Sequence, residues 1–173
     1  MNTEIYKRRN STTFSAINAT FQDGELRSFN SVNIAVAIAL EEGLITPVVF
    51  EAEKKSLTQV SSTISELSER ARNGRLVLSE VTGGTFTVSN LGMFGIENFS
   101  PIINPPQVAI LGIGKVENRP VVHQGTLQIR PMAYLSLAFD HRIIDGADAA
   151  RFLSDLKRTL EDLFNRAPTL KQC

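Results

Sequence analysis

The chain is poor in the residues that advertise most chemistries. Among its 173 residues there is one cysteine, Cys173, so neither an internal disulfide nor a cysteine-based zinc site can be built. A single thiol fits a reducing compartment. There is no excess of either charge: 18 Lys and Arg balance 18 Asp and Glu, which removes the basic field needed to hold nucleic acid or an anionic membrane. Eleven glycines and seven prolines are too few for a collagen-like or disordered chain. The longest uncharged stretch, residues 98–114, carries Pro101, Asn104, Pro105, Pro106 and Gln107 and is no membrane span. No basic and apolar leader opens the sequence, so no secretory signal is expected. The sequons at Asn10, Asn18 and Asn98 then read as chance.

What is present is the balance of a globular domain, 42% apolar and 21% charged, long enough to bury a core. The polar first thirty residues predict the end of a helix and a strand, with Asp23-Gly24 as a hairpin turn. Residues 32–40 and 44–50, split by Gly43, read as two buried strands. Ser56 with Gln59 three residues later predicts a capping box. The helix that follows carries Leu57, Val60, Ile64, Leu67 and Ala71 at steps of three and four, should cover one face of the sheet, and ends at Gly74. "TFTVSN" after Gly83-Gly84 predicts a short strand, residues 91–106 a long loop, and residues 107–116 another strand. "ENRP" and "HQGT" read as turns flanking short strands. Residues 132–139 predict a strand in which Leu135, Leu137 and Phe139 share a face. A last helix from Gly146 aligns Ala149, Leu153, Leu156, Leu160 and Leu163, closed by Pro168. The class is α/β or α+β, a mixed central sheet covered by at least two helices.

Two histidines narrow the search for chemistry. His123 falls among polar turn residues and reads as surface. His141 follows the strand "YLSLAFD" with the parity of Leu135, Leu137 and Phe139, which places it beside the core or in a cleft. Several readings of "DHRIIDG" stand side by side. Asp145 suits a helix N-cap, with Asp148 complementing the helix dipole, and His141 suits a hydrogen-bonded core position. His141 as a general base is another reading. A metal site of Asp140, His141 and Asp145 lacks a further histidine or cysteine to complete it. Ser89 reads as a polar residue at a strand end, and Asn90, Gly92 and Gly95 as turn residues. "GIGK" at residues 112–115 lacks the spacing of a phosphate loop.

"DHRIIDGADAARFL" resembles the active-site signature of the dihydrolipoamide acyltransferases, the core component of 2-oxo acid dehydrogenase complexes. "GLITPVV" at residues 43–49, "GGTFTVSNLGMFG" at 83–95 and "INPPQVAILGIG" at 103–114 resemble the same family in the same order, over about residues 18–166. The HxxxDG motif is shared with chloramphenicol acetyltransferase, which has a second histidine before the catalytic one. Asp140 stands there, which points to the lipoamide branch. The resemblance implies a chloramphenicol acetyltransferase-like fold and acyl transfer between dihydrolipoamide and coenzyme A, with the lipoyl group carried on a separate domain or chain and no metal. It implies that His141 takes the thiol proton, that Ser89 donates to the oxyanion and that Asp145 holds the site together through an arginine. Asn90, Gly92 and Arg142 are expected at the coenzyme. It further implies a homotrimer in which His141 of one chain faces Ser89 of another, trimers associating into a cubic or dodecahedral core. Lipoyl domains and dehydrogenase components would be its partners.

The chain departs from that pattern at its start. "EIYKRRN" at residues 4–10 does not match the basic helix of relatives, and neither a lipoyl nor a peripheral-subunit-binding domain is recognised. The expectation is a single, N-terminally shortened catalytic domain over residues 1–173. A non-catalytic scaffold subunit and a free-standing acetyltransferase acting on a small hydroxyl acceptor are the other expectations. Residues 89–111 look closer to acetyl-transferring members, with succinyl transfer open. The compartment would be the bacterial cytoplasm or the mitochondrial matrix.

Overall fold

Asp23 and Gly24 both take positive φ, 53° and 80°, the twist that a two-residue hairpin turn demands. They join β1 (Ala19–Gln22) to β2 (Glu25–Ser28) in antiparallel register. The computed structural model describes residues 14–166, so Pro168 and the opening of the predicted helix end fall outside the described residues; residues 14–18, the rest of that expected helix end, form turns and a bend instead. The two apolar runs around Gly43 are each cut in half. They form β3 (Ile34–Val36) and β4 (Ile38–Ala39), then β5 (Leu44–Ile45) and β6 (Val48–Val49). Pro47 lacks an N–H and breaks the return run. Only β3 and β6 stay in the main sheet, while β4 and β5 pair as a separate hairpin.

The central sheet has the order β11-β8-β7-β3-β6. Here β7 is Phe86–Asn90, β8 is Ala109–Ile113 and β11 is Leu135–Phe139. β8 is parallel to β7 and antiparallel to β11; β3 is parallel to β7 and antiparallel to β6. The sheet is mixed, as expected, and its two faces differ. One face joins Phe86, Ala109 and Leu111 to Ile144 and Ala149, with Leu135, Leu137 and Phe139 packed alongside. The other carries Thr87, Ser89, Gly112 and Ser136, by the alternation of side chains along a strand.

The greasy face is covered by α3 (Gly146–Arg166), whose Phe152 meets Phe14 edge-on at 5.5 Å and Phe86 at 6.0 Å. The predicted stripe holds for Ala149, Leu153 and Leu156, but Leu160 and Leu163 are exposed. A 21-residue helix is roughly 31 Å long and a five-residue strand roughly 17 Å, so the last turns outrun the sheet. The capping box at α1 (Leu57–Arg72) forms as predicted: Ser56 Oγ accepts from Gln59 N–H at 3.2 Å and Gln59 Oε1 accepts from Ser56 N–H at 2.8 Å. Gly74, at φ 63°, closes the helix, with Arg75 N–H donating to the Arg70 carbonyl, a Schellman closure. The expected coverage of a sheet face is corrected: α1 meets the sheet at edge strand β6, burying Leu67 and Ala71 and leaving Leu57 exposed. A short helix, α2 (Leu78–Val81), follows, tied back by an ion pair from Arg70 to Glu80.

"ENRP" is not a turn. It opens β9 (Glu117–His123), paired with β10 (Thr126–Met132) in a two-stranded ribbon; Gln124 and Gly125, within the predicted "HQGT" turn, join them. Both strands of a ribbon are edge strands, where Pro120 and Pro131 are tolerated. The expected strand at 132–139 therefore begins only at Leu135. Four charges clamp the ribbon base to the loop after β7. Lys115 Nζ lies 3.2 Å from Glu97 and 2.7 Å from Glu117, and Arg119 pairs with both glutamates while stacking on Tyr134. Hydrogen bonds from Arg119 and Lys115 hold the Glu97 carboxyl below its ordinary range, and those from Lys115 and Arg119 do the same for Glu117.

Two outcomes follow from this packing. Ile144 is fully buried, so Ile144→Ala should cost about 2–5 kcal/mol in a urea melt. A carboxylate with a lowered folded pKa stabilises above its unfolded value and loses that contribution as pH falls through the folded one. The clamp should thus be constant at neutral pH and fail below about pH 4.3. Glu97→Gln should flatten the acid dependence of melts over that range.

Candidate functional site

Ser89 sits near the C-terminal end of β7, where the parallel register sets it beside Gly112 of β8, and Gly112 stands beside Ser136 of β11. Laterally paired residues share a sheet face, so the three form one row on the small-residue face. Loop residues lie over this row. Asn98 Oδ1 accepts from Ser136 Oγ–H at 2.6 Å. A Cβ on Gly112 would stand 3.0 Å from the Phe99 ring and 3.2 Å from Pro101. One residue pair deeper, Thr87 Oγ donates to Gln107 Oε1 at 2.5 Å in full burial.

The segment after Ser89 turns sharply and is pinned. Asn90 Oδ1 accepts from Gly92 N–H at 2.8 Å, the local turn that asparagine favours. Gly92 passes so close to β8 that a Cβ would sit 2.8 Å from the Gly114 carbonyl oxygen, and one on Gly114 would overlap the Glu97 carbonyl. Lys115 N–H donates to the Ile96 carbonyl at 2.8 Å. Asn90 and Gly92, expected at the coenzyme, here shape the turn behind Ser89.

His141 lies in the turn between β11 and α3. The Asp140 N–H still donates to the Val108 carbonyl at 2.8 Å, and the Asp140 carbonyl accepts from Ile143 and Ile144. Ile144, buried in the core, anchors the turn. The expectation of a histidine against the core or in a cleft is corrected: the side chain is exposed, touching the Phe139 ring at 5.7 Å between centroids. The strand ends at Phe139, so the alternation that predicted burial no longer governs His141. Arg142 grips Asp140, with Nη2 at 2.6 Å from Oδ2 and Nε at 2.9 Å from Oδ1, and its guanidinium lies 4.6 Å over Phe21. Those hydrogen bonds hold the Asp140 carboxyl below its ordinary range. Asp145 precedes α3 and its carbonyl accepts from Ala149 N–H at 3.0 Å. Its carboxylate is exposed and, among the described residues, lies within 4 Å of no cationic side chain. No cluster of three or more metal-ligating side chains occurs among the described residues.

The register separates the two candidate reacting groups. β11 runs antiparallel to β7, so Ser89 is level with Ser136 while Phe139 is level with Ala109 at the far end of the sheet. Strand rise and spacing put Ser89 and Phe139 roughly 14 Å apart, with His141 two residues beyond. Ser89 and Phe139 also occupy opposite faces. One copy of the chain does not bring Ser89 and His141 together.

Reading for titratable groups overlooked Asn98, Phe99, Pro101 and Ser136. The signal was Gly112, a lone glycine inside an otherwise apolar strand, which marks a place where something packs closely on the backbone.

Comparison with known proteins gives the fold a family. Residues 11–166 match the model for the 2-oxoacid dehydrogenases acyltransferase (catalytic domain). The dihydrolipoyllysine-residue acetyltransferase component of the pyruvate dehydrogenase complex of Zymomonas mobilis is 46% identical over 145 residues, 84% of this chain and 33% of that protein. The succinyltransferase component of the 2-oxoglutarate dehydrogenase complex of Rickettsia typhi is 44% identical over 147 residues, 85% of this chain and 37% of that protein. The chain thus spans about a third of the length of these relatives. Among solved structures, Azotobacter vinelandii dihydrolipoamide acetyltransferase, studied for the role of a serine, a histidine and an asparagine in its mechanism, superposes with a TM-score of 0.83 at 38% identity, covering 88% of this chain and 63% of that one. The cubic core of a pyruvate dehydrogenase multienzyme complex superposes equally well, at 0.83 and 39%, over the same shares. By sequence and by fold, this chain belongs to the catalytic-domain family of the 2-oxoacid dehydrogenase acyltransferases.

Proposed function

We propose that the chain transfers an acyl group, acetyl foremost, between coenzyme A and dihydrolipoamide, in a site closed between two copies of itself. The observation that carries the reading is the placement of Ser89 and His141 at opposite ends of one sheet. Neither has its partner at home, and a ring of identical subunits supplies it. Spacing supports the assignment. In the Azotobacter enzyme the studied histidine follows the serine by 52 positions and the asparagine follows the histidine by four. Ser89, His141 and Asp145 stand at the same separations.

The chemistry explains the residue types. An alkyl thiol near pKa 8.5 is only about 3% thiolate at neutral pH. The His141 imidazole takes the thiol proton of coenzyme A as the sulfur attacks the acyl-dihydrolipoamide thioester. The carbonyl oxygen becomes an oxyanion that accepts a hydrogen bond from Ser89 Oγ–H. Collapse breaks the bond to the dihydrolipoamide sulfur, which receives the proton from His141. Asp145 is a positioning residue at the start of α3. Asn90 and Gly92 behind Ser89, and Arg142 beside His141, would border the coenzyme on the two sides of the subunit boundary.

A trimer built into a larger core, receiving lipoyl domains and working with the dehydrogenase components in a reducing compartment, is the setting we propose. Bacterial cytoplasm and mitochondrial matrix both fit that setting. The likeness to the cubic core supports it, as does the ribbon. Pro120, Val122, Leu127, Ile129 and Pro131 share one ribbon face, and Val122, Leu127 and Ile129 are each about three-quarters exposed. An apolar surface of that kind marks a contact between proteins.

The test is acyl transfer from acetyl-coenzyme A to free dihydrolipoamide. His141→Ala should lower turnover by roughly 10²–10⁴-fold, as loss of a general base does. Ser89→Ala should lower it by roughly 10²–10³-fold. Wild-type rates in the His141 variant would overturn the mechanism, and a folded wild-type protein without transfer would make the chain a scaffold.

A further inference from the structure

The row Ser89–Gly112–Ser136 has a gap at its centre, and one side chain fills it. Gly112 offers no side chain, and the Phe99 ring rests there, with Cζ at 3.0 Å and Cε1 at 3.3 Å from where a Cβ would be. Ser89 stands one strand away on the same face, a spacing of about 4.8 Å, so the ring fills the place in the row beside Ser89. The ring is held from both sides. On one, Asn98 is bound by Ser136 Oγ–H, and Glu97 before it is clamped by Lys115 and Arg119. On the other, Pro101 is buried against Gly112.

We infer that Phe99 is the wall of the acyl pocket and restricts this chain to acyl groups of acetyl size. This rests on the proposed role of Ser89. A hydroxyl that donates to the oxyanion holds that oxygen at about 2.7–3.1 Å, which brings the acyl chain up to the ring edge. A methyl group ends there in apolar contact. A succinyl group carries two methylenes and a carboxylate further, into a position taken by the ring. The segment also holds no spare cation for that carboxylate. Lys115 and Arg119 are each paired with Glu97 and Glu117, and an unpaired charge against a phenyl ring and a proline is costly. The ring therefore selects by size and by polarity together.

The experiment measures kcat/KM for acetyl-coenzyme A and for succinyl-coenzyme A, each with free dihydrolipoamide, on wild type, Phe99→Leu and Phe99→Ala. Wild type should prefer acetyl. Phe99→Ala should move the succinyl-to-acetyl ratio upward by about tenfold or more, the size of effect that pocket volume supplies, with Phe99→Leu between. Should the alanine variant fail to fold, the leucine variant carries the test. Equal losses on both donors would make Phe99 a packing residue and overturn the inference while leaving the transferase reading intact, as would a wild type that prefers succinyl. A wild type that transfers neither group overturns the proposed function and this inference with it.

Discussion

The structure depends on the register of one strand. β8 lies between β7 and β11, parallel to the first and antiparallel to the second. Because a sheet alternates side chains between faces and advances by a fixed rise, that pairing decides where everything else can be. It sends Phe86, Ala109, Leu111, Leu135, Leu137 and Phe139 to the α3 side and puts Thr87, Ser89, Ile110, Gly112 and Ser136 on the other. It also puts Ser89 at one end and the exit toward His141 at the other. A one-residue slip of β8 would flip its own side chains to the other face, taking Leu111 out of the core and moving Gly112 away from its place beside Ser89.

Around that sheet, close backbone approach does the positioning. Gly92 and Gly114 let the chain after Ser89 lie directly on the end of β8, where any Cβ would collide with main-chain atoms. The four-charge clamp holds the same segment from the ribbon side. Its members are partly exposed, and such pairs contribute little to stability individually. Their value is geometric, since two cations shared by two carboxylates limit where residue 97, and hence Asn98 and Phe99, can go. At the other end, the Asp140–Arg142 fork and buried Ile144 fix the turn beneath His141. Each candidate reacting group is thus held by a rigid local device of its own.

Much of this was legible in the sequence. The capping box at Ser56, the Asp23-Gly24 hairpin and the alternation of Leu135, Leu137 and Phe139 read correctly, because local chemistry alone decides them. The mixed sheet and the existence of its two long helices also read correctly. What failed depended on tertiary context. "ENRP" looked like a turn because Pro120 argues against a central strand, yet the ribbon has only edge strands. Leu57, Leu160 and Leu163 fitted helical stripes but lie beyond the sheet that would cover them. His141 lost its expected burial, because the strand ended two residues earlier and its alternation no longer applies there. Phe99 went unremarked because periodicity says nothing about which loop side chain lands on a bare glycine.

The central claim is that the reacting hydroxyl and imidazole come from different copies of the chain. Co-expression of Ser89→Ala with His141→Ala tests it most directly, since each variant alone lacks one group at every site. If the site lies between subunits, random mixing in equal amounts pairs an intact His141 with an intact Ser89 at about a quarter of the interfaces of a cyclic assembly, and acetyl transfer should return to about that fraction of the wild-type rate. Mixed assemblies as inactive as either parent variant would contradict the account.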